Sequence, residues 1–242
     1  GTRTQGGGAL VANDMHLGLN VPNIWYRARL VVESEGLDVA GVSLPGVPVI
    51  IAGSNRHVAW GFTNSYGDFQ DLIRLEHGPD ADSYLAPDGP RKFESERETL
   101  SVAGGEAEVL VVRNTIWGPV IGDDGEGHSL ALAWTAHRPG ATDMALLRLE
   151  RARELDSAAA IVGGAGMPGQ NVMIADKNGR IGWVLSGRLP HRLAIDSSRP
   201  SSWLGEGAGW DGWIPPAESP RLLDPPLGYA WSANARVMGG EA

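Results

Sequence analysis

Glycine and proline limit the length of everything this chain can build. With 34 glycines and 16 prolines in 242 residues, roughly a fifth of the chain is turn-prone. Between these breaks the apolar residues fall in short runs. Ala9 to Ala12, Ile24 to Glu33, Val47 to Ala52, His57 to Thr63 and Phe69 to Leu75 are β-branched or aromatic stretches punctuated by Gly and Asn/Asp, which predicts strands. From Pro79 to Glu98 the chain turns polar and carries several prolines, the pattern of a surface excursion. Strand signals return at Glu108 to Arg113, Val120-Ile121 and Leu130 to Thr135. Thr142 to Leu155 reads as the one strong helix: Thr142 and Asp143 can cap its first turn, and Met144, Leu146, Leu147, Leu149 and Ala152 form an apolar stripe. A second helix opens at Asp156-Ser157 and stops in the run Gly163 to Gly166. Strands over Asn171 to Ala175 and Ile181 to Ser186 flank Asp176-Lys177-Asn178-Gly179, a hairpin signal. From Pro190 onward a long coil rich in Pro, Gly, Ser and Trp leads to a last strand over Tyr229 to Arg236. The order of elements predicts a strand-rich α+β chain rather than alternating βαβ units.

Composition narrows the function classes. Hydrophobic residues at 42% and charged residues at 20% support a sizeable core and exclude global disorder, in one large domain or two small ones. A net charge of -9 argues against a non-specific nucleic-acid binder, which needs a basic footprint on phosphates. The absence of cysteine excludes a disulfide scaffold, a zinc-thiolate site, an iron–sulfur cluster and a thiol nucleophile. No apolar run approaches the roughly 20 residues of a helical membrane span, so no membrane partner is expected. Gly1 to Gly8 shows no signal-peptide pattern.

Four groups of residues could carry chemistry, and each has an ordinary alternative. His16, after Asn13-Asp14, sits where a strand gives way to glycine; it is a catalyst or a turn residue. Asp68 and Asp71, with the Gln70 carbonyl between them, offer oxygens to a hard cation, or simply shape a turn. Asn64 closes a strand in what reads as a plain hairpin. Asn234, after Trp231-Ser232-Ala233, could donate to a developing oxyanion or satisfy local backbone groups. The tryptophans 203, 210, 213 and 231 could line a carbohydrate or acyl pocket, or pack in a core. The P-loop and the Gly-x-Ser-x-Gly, Ser-x-x-Lys and His-Glu-x-x-His patterns are absent.

Taken in order, these segments resemble the β subunit of the penicillin acylase (penicillin amidase) family. Leu10 to Leu19 is similar to the family's ANDPHLGL segment, with Met15 in place of proline. Pro45-Gly46 through Gly53-Ser54-Asn55 and Val58 to Thr63 resemble its next block, and Asp68 and Asp71 match its paired aspartates. Asn114 to Val120 resembles another block, with Trp117 where histidine is common. Asn171 to Gly182, Gly187, Pro190-His191-Arg192, Trp210 to Pro215 and Gly228 to Arg236 follow collinearly, so the resemblance spans essentially the whole chain.

The resemblance implies a fold, an activity and a set of roles. The fold is the α+β N-terminal-nucleophile sandwich in four αββα layers, here a partial domain: residues 1–242 correspond to the core of the acylase β subunit. The activity is hydrolysis of a linear acyl amide, such as a β-lactam antibiotic side chain, an N-acyl homoserine lactone or a lipopeptide. The nucleophile is a serine freed by precursor cleavage, whose own α-amine serves as base. By the same resemblance the Asn64 backbone N–H and the Asn234 side chain hold the oxyanion, and His16 orients the nucleophile. Leu17 and Phe62 line the acyl pocket. Asp68, Gln70 and Asp71 belong to a structural calcium site, and no organic cofactor is implied. The expected partners are the α subunit and the rest of the β subunit of one exported bacterial precursor, periplasmic or extracellular. The family's Ser-Asn-x-Trp start would fall before Gly1, and every serine present has its nitrogen in a peptide bond, so the expectation is an intact enzyme but an inactive fragment. The rival readings are a calcium- or glycan-binding module without catalysis, or a remnant that has lost its serine.

Overall fold

The short runs form short strands, joined by turns that glycine makes possible. The computed structural model describes residues 1, 3–15, 17–18 and 20–234. In chain order the strands are β1 (Tyr26–Val32), β2 (Leu37–Ser43), β3 (Ala52–Ser54), β4 (Val58–Asn64), β5 (Gln70–Arg74), β6 (Ser83–Ala86), β7 (Gly89–Lys92), β8 (Glu94–Leu100), β9 (Glu108–Asn114), β10 (Val120–Asp123), β11 (Ser129–Trp134), β12 (Gln170–Asp176), β13 (Ile181–Leu185), β14 (Pro190–Leu193), β15 (Gly209–Trp213) and β16 (Arg221–Leu223). The α-helix among the described residues, α1, spans Leu155–Gly164. Among the described residues, no helix is long and apolar enough to cross a membrane.

The chain forms two compact units. The first comprises Gly1–Asp68, Pro139–Leu189 and Ile214–Ala242; the second comprises Phe69–Arg138 and Pro190–Trp213. In the first unit a seven-stranded sheet runs in the order β1-β2-β3-β4-β12-β13-β16, antiparallel at every step. Its centre is the β4–β12 pair, in which Trp60 faces Ile174 and Phe62 faces Val172. Because strand side chains alternate between faces, Val58, Trp60 and Phe62 share one face with Val172 and Ile174. The buried side of α1, made by Leu155, Ala158, Ala159 and Val162, packs into the same cluster, together with Val184. Small residues on that side let the helix approach the sheet closely. The Trp60 indole N–H donates to the Ile50 carbonyl at 3.0 Å, so this buried aromatic leaves no polar atom without a partner.

The second unit holds a three-stranded sheet, β10-β11-β5, and three two-stranded ribbons, β6-β7, β8-β9 and β14-β15. Its core gathers Ile73, Leu75, Tyr84, Ala131, Ala133 and Trp203. Aromatic rings form a chain through it: Tyr84 to Trp117 at 5.9 Å, Trp117 to Trp203 at 6.2 Å and Trp203 to Trp210 at 6.0 Å between centroids. Trp203 and its neighbours therefore pack a core, the ordinary use of such residues.

Several sequence expectations change: residues 9–12 form no strand, and of Val47 to Ala52 only Ala52 lies in one. The stretch with the strongest apolar stripe is a 3-10 helix, Ala145–Arg151, and the α-helix is the segment after it. The polar excursion contains the hairpin β6-β7 and most of β8. The coil after Pro190 contains β14, β15 and β16, whereas residues 229–234 are not a strand.

Candidate active site

The sheet of the first unit has a second face, away from α1, and alternation places Thr63, Met173 and Ile181 on it. With residues 9–14 and 228–234 these side chains line a cleft of about 710 Å³. That volume is within the usual range for small-molecule sites, roughly 300–1,000 Å³. Leu10, Val11, Met173, Ile181, Tyr229 and Trp231 supply apolar wall, and Asn13, Thr63, Ser232 and Asn234 supply neutral polar groups. Gly1 also lines it.

Specific contacts hold the two irregular segments against the sheet. The Asn13 side-chain amide donates to the Phe62 carbonyl at 2.8 Å. A Cβ at Gly61 would lie 2.7 Å from the Asn13 Cβ, so only glycine allows residues 9–14 to lie this close to β4. On the other side the Thr63 and Ser232 hydroxyls share a hydrogen bond at 2.9 Å, which ties the segment carrying Asn234 to the end of β4. Asn171, 2% exposed, frames that strand end: its amide donates to the Asn64 carbonyl at 2.9 Å, and its oxygen accepts the Trp183 indole N–H at 3.0 Å. Asn234 itself has a left-handed φ of 56°, a conformation asparagine tolerates better than most residues.

The residues singled out in the sequence fall in different places. Asn234 lines the cleft, and Asn64 directly follows Thr63, which also lines it. Phe62 packs against the helix-side core cluster, on the face opposite the cleft, because it alternates with Thr63 along β4. Leu17 is 41% exposed and is not among the cleft residues. His16 lies outside the described residues. Asn13, Thr63, Asn171 and Ser232 were missed as site residues; an uncharged amide or hydroxyl carries no spacing signature of its own.

Asp68 ends the first unit and is exposed, whereas Asp71 lies in β5 of the second and is 6% exposed. The Asp71 oxygen Oδ2 accepts the Arg192 Nε–H at 2.8 Å and the Trp210 Nε1–H at 2.6 Å. That oxygen is therefore taken by two donors, one of them a guanidinium whose positive charge opposes a cation at the same carboxylate. A further group of carboxylates and histidine is a turn device: Asp124 Oδ1 accepts the backbone N–H groups of Glu126 and His128, and Oδ2 meets His128 Nδ1 at 2.9 Å.

Residues 1–242 match the family described as Penicillin amidase. The acyl-homoserine lactone acylase QuiP of Pseudomonas aeruginosa is 30% identical over 98% of this chain and 29% of its own length. The penicillin acylase 2 proenzyme of Pseudomonas sp. (strain SE83) is 29% identical over 99% of the chain and 31% of its own. The chain thus spans under a third of the length of these relatives. Among solved structures, a thermostable penicillin G acylase from Alcaligenes faecalis superposes with a TM-score of 0.77 at 26% identity, over 91% of this chain and 40% of that one. The strand-rich α+β arrangement is that of an N-terminal-nucleophile hydrolase, of which the chain carries a part. This chain belongs to the penicillin amidase family.

Proposed function

We propose that the protein from which this chain comes is an acylase that hydrolyses the amide between an apolar acyl group and an amine. The observation that carries the reading is the cleft beside β4 in the first unit, with apolar walls and neutral hydrogen-bonding groups at the end of that strand. An acyl chain gains from the apolar wall, while amide donors can meet the charge that develops on the carbonyl oxygen. In this reading a serine preceding Gly1 enters the cleft beside it, and its free amine takes the hydroxyl proton. The hydroxyl oxygen bonds to the acyl carbon and the amine leaves with a proton; water then releases the acid and restores the serine. The Asn64 backbone N–H and the Asn234 side-chain N–H hold the oxyanion, with His16 orienting the nucleophile. Leu17 is assigned to the acyl side as part of the proposal, whereas Phe62 would act on that side only through the packing of β4.

The reading carries several consequences. The α subunit and the remainder of the β subunit complete the enzyme, and residues 1–242 alone have no turnover. The precursor is exported, which cell fractionation tests. Acyl homoserine lactones of graded chain length, a phenylacetyl anilide and a penicillin, given to the full processed protein, test the activity. Release of free acid from at least one of them is the expected result, and no hydrolysis of any of them rejects the proposal. Hydrolysis by the isolated 242-residue stretch rejects its inactivity.

A further inference from the structure

Burying a carboxylate in a protein requires a countercharge or a full set of donors. Relatives by resemblance would supply calcium around Asp71, yet here the second unit supplies its own cation. Arg192 in β14 and Trp210 in β15 are register partners across one ribbon. Both reach the same oxygen of Asp71, in β5, at 2.8 and 2.6 Å. Side-chain exposure is 4% for Asp71 and 20% for Arg192, so the pair is largely withdrawn from water. The Arg192 guanidinium carbon also lies 5.7 Å from the centre of the Trp210 ring, which fixes its plane beside the carboxylate. A calcium ion at Asp71 would have to displace both donors from Oδ2 or bind through the other oxygen, and either way would sit close to a permanent positive charge.

We propose that Arg192 takes the place of a cation at Asp71, so that the second unit is fastened by a protein-borne charge and takes up no calcium there. The ribbon β14-β15 is thereby pinned to the edge strand of the three-stranded sheet, next to the parallel bridge in which Ser201 N–H donates to the Leu72 carbonyl at 3.1 Å.

The test is thermal unfolding of the purified protein in millimolar EDTA and in millimolar calcium, with elemental analysis of the desalted sample. Equal melting temperatures and no stoichiometric calcium are expected. A saturable rise with calcium, or one calcium per chain after desalting, overturns the proposal. In EDTA, Arg192→Gln should melt lower by roughly 10 °C, while Arg192→Lys, which keeps the charge, should lose clearly less. Equal losses in the two variants, or none in Arg192→Gln, would show that the charge is not what holds the unit. If Arg192→Gln does not fold, the calcium titration of the unaltered protein still decides.

Discussion

At the scale of single residues, the cleft and the histidine beside the β3-β4 turn make separate predictions. Replacing Asn234 by alanine in the full processed protein removes one proposed oxyanion donor. The expected effect is a fall in kcat of about 10²–10³ with KM little changed, read with a chromogenic acyl amide. An equal rise in KM at constant kcat would mark Asn234 as a binding residue instead. His57 lies outside the cleft. Its Nε2 is 2.8 Å from Arg153 Nη1, and since a guanidinium only donates, the ring is neutral with its proton on Nδ1. Burial first, then Lys177 and Arg153, push its pKa down. The unfolded chain therefore binds a proton more readily, so the stability tied to this site is full above the ordinary histidine value of about 6.5 and is lost as pH falls toward the lowered folded value. The His57→Asn variant should lose less melting temperature than the parent between about pH 7 and pH 5. Parallel melting curves for the two proteins would refute that account.

At the scale of elements, Asn55 is the joint between the 3-10 helix and the sheet. Its amide donates to the carbonyls of Leu149, Glu150 and Ala152, and its oxygen accepts the N–H groups of His57 and Val58. Asn55→Ala leaves several of these buried groups unpaired and should cost about 3 kcal/mol, measured by urea unfolding. Asn55 also explains what a reading of the sequence could reach. Strands with β-branched runs, such as β4, β5, β9, β12 and β13, were legible because their period survives in any context. The segment Ala145–Arg151 has an apolar stripe fit for an α-helix. It is instead a 3-10 helix whose end carbonyls meet Asn55, a turn residue nearly a hundred positions earlier, and no local signal records that contact. Likewise β14 and β15 hide in a Pro-, Gly- and Trp-rich stretch, and the contacts of Arg192 and Trp210 with Asp71, more than a hundred residues earlier, leave no local signal. The cleft was legible through collinear resemblance at Asn234, whereas Asn13 and Gly61 gain meaning only once the two backbones are seen to touch.

At the scale of the whole molecule, each unit has its own aromatic or aliphatic heart. Trp203 is 1% exposed and central to the ring chain of the second unit. Trp203→Ala should cost about 3–5 kcal/mol and raise amide exchange over residues 70–74 and 129–134, the strands β5 and β11. Unchanged protection there would mean that the core of this unit lies elsewhere. Neither unit is continuous in the chain, and that has a consequence for how the protein is made. β4 is complete at Asn64, but its partner β12 begins only at Gln170. A ribosome must therefore extend the polypeptide by more than a hundred residues while the future centre of the sheet waits with one side bare. The central pairing of that sheet is thus a long-range contact, and its closure must come late in the folding of the first unit.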